Sequence, residues 1–357
     1  MRGTCGPARS RLTAQRTSHR ERLRPRENIE CLIMSRRIRT ASLVALAGII
    51  AGASGIAAYF YHADLKQARD RLLGLSHIAQ TPCGPIEYAV AGDGPPVLVV
   101  HGAGGGFDQG LEFGAPLAEQ GFRVIAMSRF GYLGTPLPEN ASPTAQADAH
   151  ACLLASLGLG RVAVIGGSAG APSSVQFALR HPDKISALVL LVPALYVPRP
   201  DNAPSVHAPT GVQFMMKTAL QSDFLFWIVR KFARDALIRI ILATPPSVVR
   251  NASTEEQIRV QQVLDHVLPI SQRRHGLLNE AKVIPSLPRY ELEQINVPTL
   301  AISCADDLFG TYDGARYTAD HIRGARFVGY PSGGHLWVGH QGEVAHEILS
   351  FLREKMS

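Results

Sequence analysis

Gly166-Gly167-Ser168-Ala169-Gly170 sets one serine among small neighbours, directly after the apolar run Arg161–Ile165 and before the helical pattern Ala171–Arg180. Small residues two before and two after a serine let the backbone turn sharply from strand to helix and expose the hydroxyl. The helix N-terminus beneath it favours negative charge that develops there. Nucleophilic attack by the serine oxygen is the chemistry this arrangement suits. A plain glycine-rich turn or a phosphate cradle would use the same residues, but no P-loop lysine follows. Two further groups narrow the choice. His101-Gly102-Ala103-Gly104-Gly105-Gly106 comes after Val97–Val100, where glycines let backbone N–H groups close on a tetrahedral oxygen. Gly333-Gly334-His335 comes after Arg326–Tyr330, and His335 stands 22 residues from the C-terminus.

These groups need a scaffold, and the chain alternates the patterns of one. Short apolar runs at Ile86–Val90, Val97–Val100, Phe122–Met127, Val162–Ile165, Ile185–Val192, Thr299–Ser303 and Arg326–Tyr330 read as strands. Helical stretches fall between them: Ser142-Pro143 offers an N-cap and first-turn proline to a helix ending at Gly158, and Glu343–Arg353 reads as a last helix. Continuous apolar strands separated by helices predict an α/β fold, a mostly parallel twisted sheet with helices on both faces. Residues 195–290 break the rhythm with prolines and helical apolar stretches such as Phe224–Val229, and predict a helical cap inserted between two strands. Thr81-Pro82-Cys83-Gly84-Pro85 is a turn, so the catalytic domain is expected over 81–357, preceded by a linker helix over 64–80.

The order of these motifs resembles the α/β-hydrolase superfamily: a His-Gly loop, G-x-S-x-G, an aspartate after a late strand, and Gly-Gly-His near the end. The resemblance covers about residues 84–355 and includes Gly160–Ser168 and His181-Pro182-Asp183-Lys184. It implies Ser168 as nucleophile and His335 as general base. The family usually reads Gly-x-x-Asp after the late strand, which implies Asp307 as the acid once Cys304 stands in for the glycine; Asp306 is the fallback. The implied oxyanion donors are the main-chain N–H groups of Ala103 and Ala169. The implied activity is a serine hydrolase with an acyl-enzyme intermediate, acting on an ester, thioester or lactone of an apolar acid. Carbon–carbon bond hydrolysis and cofactor-free perhydrolysis of the haloperoxidase kind are alternatives on the same triad. A non-catalytic binding module is the alternative of another class. The chain departs from many relatives in carrying Ser128 before Arg129 where they carry an acid. A serine nucleophile also excludes the dehalogenase and soluble epoxide hydrolase branches, which use aspartate.

Other residues are assigned lesser parts. His101 shapes the oxyanion loop, His181 caps a helix, and His340 is expected exposed at the start of the last helix. Cys304 is expected small and buried. Phe107, Phe130, Tyr132, Phe224, Phe226, Trp227 and Trp337 suit core packing individually, or the wall of an apolar pocket together. The five cysteines, at 5, 31, 83, 152 and 304, lack the close spacing of a redox pair or zinc knuckle and do not amount to a disulfide scaffold. With no H-E-x-x-H, carboxylate cluster or EF-hand pattern, neither a metal nor a cofactor is expected.

The net charge of +7 has a local source. Residues 1–40 hold eleven arginines and three acids, leaving 25 bases and 26 acids for the rest of the chain. The body of the protein is close to neutral, which excludes a nucleic-acid footprint on a folded face. No charged residue stands between Arg39 and Asp64. About 20 helical residues span a bilayer core, so residues 41–63 are expected to be a transmembrane anchor, with Tyr59, Phe60 and Tyr61 as its aromatic belt. Arginines before it place the N-terminus in the cytoplasm and export the catalytic domain. The alternative is a secretory signal cleaved after Ala51-Gly52-Ala53. Ser35-Arg36-Arg37 matches a twin-arginine signal weakly, and Gly48 and Gly52 form a G-x-x-x-G pair of the kind that dimerises helices, although a run this rich in Ala and Gly also produces one by coincidence. Residues 1–33 read as disordered or as a start-site extension before Met34.

Overall fold

The computed structural model describes residues 24–198 and 220–356; most of the stretch expected to be disordered, and part of the cap, lie outside them. The chain divides into two bodies, one up to Phe60 and one from Tyr61. Helix α1 (Arg24–Asp70) begins in the first, where it leaves Leu43, Val44, Ile49 and Ile50 exposed. Over Arg36–Asp70 it is long and apolar enough to cross a membrane, and the expected span 41–63 falls inside that stretch.

The second body opens with β1 (His77–Thr81), β2 (Gly84–Ala91) and β3 (Pro96–Val100), then α2 (Phe107–Glu119), β4 (Arg123–Met127), α3 (Pro143–Ser156), β5 (Val162–Gly167), α4 (Ala171–Arg180) and β6 (Ile185–Leu191). Beyond the cap come β7 (Thr299–Cys304), α10 (Thr311–His321), β8 (Arg326–Tyr330) and α11 (Gln341–Met356). One eight-stranded sheet runs β1-β2-β4-β3-β5-β6-β7-β8. The β1/β2 and β2/β4 pairs are antiparallel and all others parallel. The described part of the cap is helical: α5 (Asp223–Phe232), α6 (Arg234–Ile240), α7 (Pro246–Asn251), α8 (Thr254–Asp265) and α9 (Arg274–Val283).

Alternation along the central strands builds two cores. Leu98, Val100, Ile125, Met127, Val164, Leu188 and Leu190 pack with Leu153, Val175 and Phe177 of α3 and α4. Their neighbours Val97, Val99, Val124, Ile165, Val189 and Ile302 face Leu117 of α2 and Ile348 and Leu352 of α11. Both faces are dry, so these strands carry apolar residues without interruption. Each fully buried Val, Leu or Ile contributes about 1.5–3 kcal/mol relative to exposure.

Two expectations need correction, and the fold adds a disulfide. The segment 64–80 is not one linker helix: α1 ends at Asp70, and His77–Thr81 forms an edge strand paired antiparallel to β2. Only Ala79 of this strand is buried, so it shows no continuous apolar run. Cys83 and Cys152 form a disulfide across 69 residues, tying the β1–β2 turn to α3; a pairing made by the fold leaves no close spacing in the chain. His340 is half-buried rather than exposed, stacked on Tyr330 at 4.4 Å and paired with Glu343. The aromatics divide as well: Phe107, Phe130, Tyr132, Phe226, Trp227 and Trp337 are buried, while Phe224 is 43% exposed.

His150 lies fully buried on α3, with Nδ1 2.9 Å from Met127 Sδ and Nε2 3.1 Å from Ser173 Oγ. Burial pushes its pKa down to about 3 and holds buried His101 in the same direction. Below the ordinary imidazole value the unfolded chain takes up protons that these folded-state histidines refuse, so stability falls with pH. Each contributes about 1.4 kcal/mol per pH unit over that window. Melting temperature is therefore expected to drop between pH 6.5 and 4.5, and His150→Gln is expected to flatten the slope. An unchanged slope in that variant would refute the assignment.

Candidate active site

Strand β5 delivers Ser168 into a tight 3-10 turn, Ser168–Gly170, from which α4 departs. Ser168 sits at φ +47°, a left-handed conformation that a serine holds only under constraint from its surroundings. Gly170 shows that constraint, because a Cβ there would meet the carbonyl oxygens of His101 and Val100, each at 2.6 Å.

His335 approaches from the opposite direction, in a 3-10 turn (Gly334–Leu336) beyond β8. Its Nε2 is 2.8 Å from Ser168 Oγ and its Nδ1 is 2.7 Å from Asp307 Oδ2. His335 and Asp307 are 7% and 6% exposed, so water does not separate the pair. Asp307 is fixed in turn: Phe309 N–H donates to its Oδ1 at 2.8 Å, and the Thr311 hydroxyl donates to its Oδ2. Its neighbour Asp306 turns away and accepts the Gly334 N–H at 2.7 Å. The structure thus brings Ser168, His335 and Asp307 together, and uses Asp306 to hold the loop that carries the histidine.

This division predicts unequal effects. Asp307→Asn keeps the shape but presents the wrong partner to Nδ1–H, and is expected to lower kcat by about 10⁴-fold. Asp306→Asn keeps an acceptor for Gly334 and is expected to cost less than about tenfold. Ester hydrolysis by the two purified variants checks this, and equal losses would contradict it.

The two expected oxyanion donors lie on either side of Ser168, each in a peptide whose carbonyl is tied back. The Ser168 carbonyl accepts the N–H groups of Ala171 and of Ala194, the latter at 3.1 Å. A trans peptide points its C=O and N–H in opposite directions, so this anchors the direction of the Ala169 N–H. On the other side, the Gly102 carbonyl, which shares its peptide with the Ala103 N–H, accepts from His101 Nδ1 at 2.7 Å and from Arg129 Nη2 at 3.1 Å. His101 Nε2 accepts the Arg129 N–H at 2.9 Å, which fixes the proton on Nδ1. His101 is thus a strut of this loop, as expected. Cys304 is fully buried, and desolvation pushes its thiol up to about 12, leaving it inert.

Sequence reasoning passed over several supporting residues. Ser128, in the position where relatives carry an acid, donates to Glu87 Oε2 at 2.8 Å and accepts the Phe107 N–H at 3.1 Å. Glu87 lies on β2, the strand paired antiparallel to β4, which ends just before Ser128. Asp108 is gripped by Arg273 and Arg71. Burial opposes its ionisation, but the two guanidiniums prevail and hold the carboxyl well below the usual carboxylate range. Among the described residues no group of three or more His, Cys, Asp or Glu is placed to hold a metal ion.

Comparison with known proteins agrees with the architecture. The family described as alpha/beta hydrolase fold matches residues 95–239. Uncharacterized hydrolase YcgS of Bacillus subtilis (strain 168) is 26% identical over 287 residues, spanning 75% of this chain and 95% of that protein. The 2-hydroxy-6-oxononadienedioate/2-hydroxy-6-oxononatrienedioate hydrolase of Paraburkholderia xenovorans (strain LB400) is 28% identical over 248 residues, 64% of this chain and 76% of the relative. The alpha/beta hydrolase fold protein from Nakamurella multipartita superposes with a TM-score of 0.59 at 28% identity, covering 78% of this chain and 99% of the other. With its mostly parallel sheet, its serine on the turn after β5 and these relatives, the chain has the alpha/beta-hydrolase fold and is a hydrolase.

Proposed function

We propose that the chain is a serine hydrolase that forms an acyl-enzyme on Ser168. The observation that carries this reading is the unbroken hydrogen-bond chain from Ser168 Oγ through His335 to Asp307, at 2.8 and 2.7 Å. Ser168 Oγ attacks the substrate carbonyl as His335 Nε2 takes its proton. Asp307 holds the imidazole in the reactive tautomer and stabilises the imidazolium. The carbonyl oxygen, now negative, is received by the N–H groups of Ala103 and Ala169. Collapse expels the alcohol or thiol with the proton from His335, and water repeats the sequence to release the acid and free Ser168.

Apolar surface beside the nucleophile supports an ester, thioester or lactone of an apolar acid. The Phe309 ring lies 5.0 Å from that of His335 and is 56% exposed, and Val267 borders the glycine loop at Gly104, where a Cβ would lie 3.7 Å from it. Carbon–carbon bond hydrolysis is the second reading, favoured by the oxononadienedioate hydrolase among the relatives. A fluorophosphonate probe tests the class: labelling of the wild type and none of Ser168→Ala is expected, and equal labelling of both would overturn it. Nitrophenyl esters of graded acyl length, set against a vinylogous diketone, separate the two substrate classes.

We read α1 as an uncleaved anchor with the N-terminus in the cytoplasm and the catalytic body exported. The Cys83–Cys152 disulfide supports export, since such bonds persist in oxidising compartments. The purified protein is expected to need detergent and to retain residues before Ser54; a mature N-terminus at Ser54 would contradict the anchor.

A further inference from the structure

Arg129 is 6% exposed and its guanidinium touches both flanks of the nucleophile. Nη1 donates to the Ala169 carbonyl at 3.0 Å, and Nη2 donates to the Gly102 carbonyl at 3.1 Å. Nη2 also donates to Glu280 Oε1, an acceptor supplied by the cap. Glu280 is 8% exposed, and burial raises its pKa against the pull of Arg129. The contact therefore joins two groups 151 residues apart inside the protein, at a cost in desolvation that a surface pair would avoid.

The rest of α9 presses on the same loop. Gly276 lies flat on Tyr132, where a Cβ would come within 2.0 Å of the ring, and Tyr132 stands edge-on to His101 at 4.7 Å. Arg273, just before α9, donates to the Gly105 carbonyl. Positions 273, 276 and 280 share one face at helical spacing. That face meets the glycine loop at Gly105 and, through Arg129, at Gly102, and packs on Tyr132 beside His101. Holding the Gly102 carbonyl aims the Ala103 N–H, because the two groups belong to one planar peptide. Gly102 is also next to the nucleophile: a Cβ on it would lie 3.2 Å from Ser168 Cβ.

We propose that Glu280 of the cap is a positioning residue for the oxyanion hole, acting through Arg129 to aim the Ala103 N–H at the developing oxyanion. The inference rests on the serine-hydrolase reading above and adds a residue to it. It makes the cap a working part of the catalytic machinery as well as a cover, since a cap displaced from α9's seat takes the anchor of Arg129 with it. Arg129 would then lose its counter-charge, turn toward water and release the Gly102 carbonyl.

Full-length protein in detergent tests this. Fluorophosphonate labelling of the wild type and of Ser168→Ala is run first, so that a failure of the serine reading is seen separately. In Glu280→Met, kcat on a nitrophenyl ester is expected to fall about 10- to 100-fold with KM changed less than about threefold, short of the full loss of one donor. A trifluoromethyl ketone, whose hemiketal oxygen occupies the same hole, is expected to lose affinity by the same factor. Glu280→Gln, which keeps an acceptor for Nη2, is expected to recover part of the rate. The double variant Arg129→Met with Glu280→Met strands no charge and is expected to regain wild-type melting temperature while kcat stays low. Recovery of kcat together with melting temperature in the double variant would reduce the pair to a structural tie and overturn the proposal. So would wild-type kcat in Glu280→Met. If Glu280→Met does not fold, the double variant alone decides.

Discussion

Replacing Ser168 by alanine is expected to lower kcat on an activated ester by about 10⁴- to 10⁶-fold, the range found when a nucleophile that acts as a unit with its base is removed. The protein should remain folded, because alanine keeps the Cβ and adopts the same positive φ at no greater cost than serine. KM should move little, since the hydroxyl contributes to the transition state more than to substrate binding. His335→Ala should fall into the same range, and the double variant should be no slower than either single one. Without the imidazole the Ser168 hydroxyl has no acceptor for its proton, and without the serine the imidazole has nothing to deprotonate. Additive losses would mean that the two do not act as one unit. Steady-state kinetics of the three variants distinguishes these outcomes.

The largest loss of stability is expected from Arg273→Ala. Arg273 is fully buried and bonds to Asp108 through both Nη1 and Nη2, at 3.1 and 2.7 Å. Breaking a buried ion pair by removing one partner leaves the other charge without compensation, at a cost of about 3–5 kcal/mol. The vacated space adds to that loss. Arg71 retains its own contact with Asp108, but its side chain is 22% exposed and cannot replace the buried fork. Arg71→Ala is therefore expected to cost less, about 1–3 kcal/mol, since it removes a partly exposed charge-assisted bond. Arg273 also holds the Gly105 carbonyl, so its loss should depress activity as well as melting temperature. Chemical denaturation of both variants checks the order. An Arg273→Ala protein within about 1 kcal/mol of wild type would show that Arg71 carries the site by itself.

What could be read from the chain, and what could not, follows the range of each interaction. The central strands declared themselves because burial on both faces demands uninterrupted apolar residues. The serine turn declared itself because its sterics are local, confined to five consecutive residues. The spacing that favoured Asp307 is local too, being set by the turn that follows one strand. Helix α2 was passed over because Gly110, Gly114 and Pro116 dilute its helical pattern. The Glu87–Ser128 bond joins residues 41 apart and Arg273–Asp108 residues 165 apart. Nothing in the neighbourhood of either partner records such a contact. A buried arginine in sequence is only an arginine, and its role appears once the cap has been folded back onto the glycine loop.

A covalent intermediate on Ser168 can be caught by mass spectrometry of the enzyme quenched in acid milliseconds after mixing with a nitrophenyl ester. An added mass equal to the acyl group is expected on the peptide that contains Ser168, absent from Ser168→Ala and longer-lived in Asp307→Asn. Substrate turnover by the wild type with no adduct at any quench time, or an adduct that persists in Ser168→Ala, would contradict it.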